Sequence, residues 1–205
     1  MPHTLVLATR NQGKITEFRR ILDALAPGAI ELIGVDCFPD LIDVEETGST
    51  FEENSLLKAR YTSQATGLPA IADDSGLCVD ALNGDPGIFS ARWAGVHGND
   101  RANLEKVLDQ LKEVPHEKRT AHFICVASLV LPDGREQVAE GRFDGHILGA
   151  PVGENGFGYD PIFQPVGMSI SSAQMSAQEK DELSHRGKSL RLIAPHVIQL
   201  LASLR

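Results

Sequence analysis

Asp73 and Asp74 are adjacent carboxylates in the stretch Pro69-Ala-Ile-Ala-Asp-Asp-Ser-Gly-Leu-Cys-Val-Asp80. The pattern predicts a short apolar strand (Ala70, Ile71, Ala72) that delivers both acids to a Ser-Gly turn. A second apolar strand (Leu77, Cys78, Val79) then leaves the turn. Successive strand residues point to opposite faces, so only one aspartate can face a given ligand. A carboxylate in that position can hold a divalent metal or take a proton from water. An Asp-Ser-Gly hairpin cap uses the same residue types, so both readings stand on these residues alone.

The elements that must position this pair can be read in chain order. Residues 4–9, Thr-Leu-Val-Leu-Ala-Thr, form a buried strand. Arg10-Asn-Gln-Gly-Lys14 then leads into a helix with Ile15, Phe18, Ile21, Leu22 and Leu25 at helical spacing, stopped by Pro27-Gly28. Free N–H groups at that helix start, together with Lys14, could hold phosphate oxygens. The Walker pattern is absent, and a plain turn and cap is the alternative. Residues 30–35 make a second strand, and 36–48 a polar loop carrying Glu45 and Glu46. Ser49-Thr-Phe-Glu-Glu53 offers two overlapping capping boxes for a helix over 50–66. On that helix Asn54 and Lys58 either form an exposed face or line a ligand site.

Further along, Asn83 to Gly95 is a shaped loop with a short ordered segment, Ser90-Ala-Arg92-Trp93. A helix is expected over 100–113. Alternation from Thr120 to Leu131, the turn Pro132-Asp-Gly134 and Glu136–Gly141 predict an antiparallel hairpin, which makes the sheet mixed. In Gly156-Phe-Gly-Tyr-Asp-Pro161 the glycines allow close backbone approach. Phe157 and Tyr159 could stack on a planar base while Asp160 bonds its edge; an aromatic core turn is the alternative. The last helix starts after Ser184 and runs to Leu204, with Leu190, Ile193, Val197, Leu200 and Leu201 as its buried stripe. His185, Arg186 and Lys188 fall in its first turn, where cations oppose the helix dipole, and Lys14 repeats the inversion on the first helix. Two such starts in an acidic chain suggest a bound polyanion.

Composition narrows the class. The 205 residues carry a net charge of −9, which argues against a broad nucleic-acid surface. No apolar run reaches the roughly 18 residues of a membrane helix. The N-terminal residues pass straight into a patterned strand without a signal segment, so a cytoplasmic location is expected. Cys37, Cys78 and Cys125 are widely spaced and read as reduced, mostly buried thiols.

Six motifs, in order, resemble the inosine triphosphate pyrophosphatase family, also called Ham1-like proteins. They are Thr9-Arg-Asn11-Gln-Gly-Lys14, Glu45-Glu46-Thr-Gly48 with Thr50-Phe-Glu-Glu-Asn54, Ala72-Asp-Asp-Ser-Gly-Leu77, Pro86-Gly-Ile-Phe-Ser-Ala-Arg92, Gly156-Phe-Gly-Tyr-Asp-Pro161 and Ser184-His-Arg-Gly187. The resemblance spans nearly the whole chain. It implies an elongated two-lobed α/β fold, residues 1–205 as one domain, with a mixed twisted sheet flanked by helices and a cleft between the lobes. It also implies a homodimer and a Mg2+-dependent hydrolase that converts ITP, dITP or XTP to the monophosphate and pyrophosphate. Carried over residue by residue, Thr9, Arg10, Asn11, Gln12, Gly13 and Lys14 would bind the triphosphate, and Ser75 would touch the phosphates. Asp74 would be general base and metal carboxylate, with Glu46 the second metal carboxylate. Phe157, Gly158, Tyr159, Asp160, Lys180, His185 and Arg186 would form the base pocket.

Lys180 and Arg186 are donor-only side chains. Hypoxanthine and xanthine offer an acceptor oxygen where adenine has an amino donor, so adenine would leave those donors unpaired. On this reading Arg186→Met should erode the preference for ITP over ATP. The roles of Asp73, Glu53 and Lys58 stay open between ligand site and scaffold. The competing readings are a Maf-like pyrophosphatase of pyrimidine triphosphates, a nucleotide-binding sensor that does not hydrolyse, and a plain α/β domain with capped turns.

Overall fold

A computed structural model describes residues 2–203. The chain alternates β1 (His3–Leu7), α1 (Gln12–Leu25), β2 (Ile30–Gly34), α2 (Phe51–Thr66), β3 (Ala70–Val79) and α3 (Asp100–Gln110). There follow β4 (Thr120–Val130), β5 (Glu136–Ile147), β6 (Phe163–Pro165), α4 (Ala177–Leu183) and α5 (His185–Ala202). The strands form a six-stranded sheet in the order β2-β1-β3-β4-β5-β6. β1 is parallel to β2 and β3, and β5 is antiparallel to β6, so the sheet is mixed as expected. The expected end of the last helix at Leu204 lies outside the described residues.

The chain divides into two compact units. Unit 1 comprises Met1–Asp74, Cys125–Gly141 and Arg186–Arg205; unit 2 comprises Ser75–Ile124 and Arg142–His185. In unit 1, strand alternation sorts the residues onto two faces. Leu5, Leu7, Ile71, Ala127, Leu129 and Leu131 pack with Ile15, Phe18, Ile21 and Leu22 of α1 and with Leu190, Ile193, Val197 and Leu201 of α5. The opposite parity, Ala8, Ala72 and Val130, packs with Ala59 and Leu56 of α2. Unit 2 has its own core, in which Leu77 and Val79 meet Leu104, Val107 and Leu111 of α3, Phe123, Phe143 and Phe163.

Local chemistry sets the helix ends. Asn11 Oδ1 accepts the Lys14 N–H at 3.0 Å and caps α1. Thr50 Oγ1 accepts the Glu53 N–H at 3.1 Å and caps α2, which ends on Gly67 in the left-handed region at φ 68. Glu53 does not close the expected box on Thr50. Its carboxylate reaches back one residue further, to the Ser49 N–H (2.7 Å) and Ser49 hydroxyl (2.8 Å).

Two expectations change. Ser75-Gly76 is not a turn: β3 runs unbroken for ten residues, so the aspartates lie mid-strand rather than at a strand end. The apolar residues on both sides of Asp73-Asp74 are each buried in a core, which keeps the segment extended through the two polar residues. The second change is α4, which periodicity did not reveal because it is only seven residues long. Its signal was present as Ser176-x-x-Glu179, a complete capping box.

Candidate functional site

The residues expected to carry function fall into one group in each unit. In unit 1 the alternation of β3 decides their neighbours. Asp73 shares the parity of Ile71 and faces α1 and α5. Asp74 shares that of Ala72 and faces α2.

Asp73 is 1% exposed. Its Oδ2 lies 3.0 Å from Lys14 Nζ and 3.1 Å from Arg186 Nη2, and accepts from the Cys125 thiol at 3.7 Å. Its Oδ1 has no hydrogen-bond partner among the described residues. Arg186, 2% exposed, also donates from Nη1 to Glu17 Oε2. Ser189 donates to Cys125 Sγ at 3.2 Å. Burial raises the Asp73 pKa, but Lys14, Arg186 and Lys58 more than reverse this and hold it well below the usual carboxylate range. Burial, reinforced by Asp73, pushes the Cys125 thiol up to about 12 and keeps it neutral.

Asp74 stands differently. Its Oδ1 is 3.2 Å from Lys58 Nζ, and its Oδ2 accepts from Asn54 Nδ2 at 3.3 Å. The same ammonium is 2.6 Å from Glu46 Oε1. Burial raises the Asp74 pKa; Lys58 and Lys14 oppose this, while Glu46 and Asp73 add to the rise, and the net direction is upward. The pKa values of the adjacent carboxylates are thus driven in opposite directions, Asp73 down and Asp74 up. The Lys58 ammonium loses by burial but gains more from Asp74, Glu46 and Asp73, and its pKa is raised.

The helix-start segment is a capped turn. The Thr9 hydroxyl accepts the Asn11 N–H at 3.2 Å, and Asn11, Gln12 and Gly13 precede Lys14 at the α1 N-terminus. Arg10 is turned elsewhere. It donates to Asp43 Oδ1 and to the Leu41 carbonyl, both at 2.8 Å, and so pins the loop that leads to Glu46. The cations at two helix starts are met inside the protein, since Lys14 and Arg186 both pair with Asp73. That inversion therefore does not require an external polyanion.

Glu46 and Asp74 converge on one ammonium, which makes them two hard oxygen donors able to meet a single cation. This donor set fits Mg2+, which takes one or two carboxylates and completes its shell with water and phosphate oxygens. No cluster of three or more His, Cys, Asp or Glu suited to a metal occurs among the described residues.

In unit 2, Lys180 Nζ is 2.5 Å from Asp160 Oδ2 and 5.0 Å from the centroid of the Phe157 ring. Asp160 Oδ2 also accepts the Phe157 N–H at 2.9 Å. Gly156 has φ +73, and a Cβ there would collide with Asp160 Oδ2 and stand 3.2 Å from Lys180 Nζ. Gly158 N–H donates to Asp100 at 2.9 Å, tying the loop to the start of α3. Ser75, the first residue of this unit, is half-buried on β3.

Three residues expected in the base pocket lie in buried settings. Tyr159 is 5% exposed within the core of unit 2 and donates to the Ser90 carbonyl at 2.8 Å. His185 is buried and stacks on Phe123, with ring centres 4.7 Å apart and planes at 11°. Arg186 belongs with Glu17 and Asp73 in unit 1. The exposed-face alternative for Asn54 and Lys58 also fails. Asn54 is 0% exposed and Lys58 is spent on two carboxylates. Glu17 was missed altogether. Its signal is the i, i+3, i+7 spacing of Lys14, Glu17 and Ile21, which sets an acid beside the apolar stripe of α1.

Residues 5–196 match the model of the Ham1 family. A Streptomyces coelicolor protein named dITP/XTP pyrophosphatase is 58% identical over 198 residues, covering 96% of this chain and 98% of the relative. A Nocardia farcinica protein of the same name is 49% identical, covering 98% and 95%. Among solved structures, the Staphylococcus aureus Ham1 protein is 43% identical with a TM-score of 0.82, covering 95% of this chain and 97% of that one. The HAM1 protein of Coxiella burnetii is 40% identical with a TM-score of 0.85, covering 96% and 99%. With a match that runs through both units and takes in the acidic pair, the glycine-bounded aromatic loop and both helix starts, the chain belongs to the Ham1 family.

Proposed function

We propose that this protein is a nucleoside triphosphate pyrophosphohydrolase that converts ITP, dITP and XTP to the monophosphate and pyrophosphate. The single observation that carries the reading is the split between neighbouring carboxylates. Asp73 is locked to Lys14 and Arg186, while Asp74 has a raised pKa beside Lys58 and Glu46. The relatives' names, which give dITP and XTP, point the same way.

In this reading the triphosphate lies at the α1 N-terminus, where free N–H groups and the Lys14 ammonium offset its charge. Asp74 takes the proton from the attacking water, and burial raises its pKa, the direction that strengthens a carboxylate as a base. Lys58 holds the carboxylate in place. Glu46 and Asp74 would hold Mg2+, which when bound neutralises phosphate oxygens and acidifies a bound water. Lys14 offsets the charge that develops on the departing pyrophosphate. For the base, Phe157 offers a ring face and Lys180, held by Asp160, offers a donor for the acceptor oxygen of hypoxanthine or xanthine. Mg2+ dependence, a homodimer, a cytoplasmic setting and a single two-lobed domain over 1–205 complete the reading. Family membership supports them, with the family model running across both units. No helix among the described residues is long and apolar enough to cross a membrane.

The test is a release assay with Mg2+ over ITP, XTP, ATP, GTP, dTTP and UTP, scoring pyrophosphate and orthophosphate separately. Pyrophosphate from ITP and XTP, lost in Asp74→Asn, is the expected result. Turnover of the pyrimidine nucleotides, orthophosphate as product, or binding without turnover would each overturn it.

A further inference from the structure

The α2 helix meets β3 and the acidic loop through two side chains one turn apart. Lys58 lies within 2.6 Å of Glu46 and 3.2 Å of Asp74. Four residues earlier, Asn54 does the same with neutral groups: its Nδ2 donates to Asp74 Oδ2 at 3.3 Å, and its Oδ1 accepts the Gly48 N–H at 2.8 Å. Residues i and i+4 of a helix share a face, so the two act as parallel rungs. Each rung joins the same carboxylate to the same loop, one at Glu46 and one at Gly48. Between them, Ser55 donates to the Ala72 carbonyl at 3.3 Å and fastens α2 to β3 beside the aspartate.

Three details mark Asn54 as built for this place. It is 0% exposed, so a polar side chain has been taken wholly out of water. It spends an acceptor and a donor on two different segments, which an amide can do and a carboxylate cannot. Gly48 leaves it room: a Cβ there would lie 2.7 Å from Asn54 Oδ1 and 2.7 Å from Glu53 Cβ. With Lys58 on Oδ1 and Asn54 on Oδ2, rotation of the Asp74 carboxylate is fixed, and each oxygen keeps a further lone pair for reaction.

We propose that Asn54 is a positioning residue that orients the Asp74 carboxylate and holds the Glu46 loop against it. The proposal rests on the pyrophosphohydrolase reading for its activity arm, but its structural arm does not.

Asn54→Asp separates the two halves of the role. It retains an acceptor for the Gly48 N–H and replaces the donor to Asp74 with a like charge. Asn54→Ser removes both contacts without adding charge and serves where the aspartate variant does not fold. For both, kcat for ITP should fall about 100-fold, the order expected when a reacting group is misplaced by about an ångström, with KM changed less than about threefold. The double variant Asn54→Asp/Asp74→Asn reverses the donor and acceptor, so it should recover thermal stability lost in Asn54→Asp while remaining inactive. Activity of the wild-type protein tests the pyrophosphohydrolase reading; the variant-to-wild-type ratio and the recovery of stability test Asn54. A kcat within twofold of wild type in Asn54→Ser, a loss carried by KM instead, or a swapped pair no more stable than Asn54→Asp would each overturn the role.

Discussion

Unit 1 buries Asp73, Arg186 and Glu17 together, with a partly buried Lys14 paired to Asp73, and on the other face of β3 Asp74 meets Lys58, which also holds Glu46. Unit 2 instead places a buried ion pair, Lys180 with Asp160, within reach of the Phe157 ring and keeps its other rings in its core. Burying charge is costly unless every charge is matched, and a matched cluster is rarely more stable than an apolar one. The unit 1 cluster therefore adds little stability as scaffold, and its cations are answered by carboxylates inside the protein. The unit 2 pair sets one cationic donor beside one ring face.

That contrast can be broken most severely at Arg186. Arg186→Met takes one cation from the buried Glu17 and Asp73, leaving Asp73 with Lys14, and removal of one partner of such a set costs about 3–5 kcal/mol. Denaturant unfolding should show that loss of stability, in place of the selectivity change expected from sequence. A variant that folds normally and merely loses ITP-over-ATP preference would return Arg186 to the base.

At Lys180, also one partner of a buried ion pair, selectivity should change together with stability. Lys180→Met is expected to erode discrimination against ATP by about 1–3 kcal/mol, the cost of leaving a buried donor unpaired. Competition between ITP and ATP in the release assay reads this directly, and unchanged discrimination would remove Lys180 from the role.

Asp73 gives the contrast a pH dependence. Its folded pKa lies below the unfolded value of about 3.9, so its stabilising contribution is complete above that value and declines as pH falls below it. Urea midpoints of the wild type should drop steeply below about pH 4. In Asp73→Asn, stability near neutral pH should already be lower and the acid slope shallower. Parallel slopes would mean that other carboxylates govern acid unfolding.

The smallest effect is expected at the surface of unit 1, where Arg60 forks onto Glu136 at 2.6 and 2.7 Å. Arg60→Ala should cost no more than about 1 kcal/mol, and less in high salt. A larger, salt-independent loss in thermal unfolding would show that this pair is not an ordinary exposed bridge.

Much of this was legible beforehand because local rules governed it. The cap at Asn11, the cap at Thr50, the stop at Gly67 and the apolar stripe of α5 depend on residues within a turn or two of each other. The hairpin turn at Pro132-Asp-Gly134 is local in the same way. The continuous β3 strand was not legible, because Asp-Asp-Ser-Gly has turn chemistry and only the two flanking cores hold it straight.

The sequence by itself determined the early alternation of strands and helices, the opposite facing of Asp73 and Asp74, and a family resemblance that carries the substrate class. Each of these follows from neighbours in the chain or from motif order. Only the tertiary structure decided which cation answers which carboxylate. Arg186 and Glu17 are far apart in sequence, and a charge buried by distant elements must find its counter-ion wherever the fold brings one. It also decided that Asn54, which a helical wheel leaves polar and ambiguous, is buried against Asp74, because the packing of α2 on β3 fixes which face of the helix loses water.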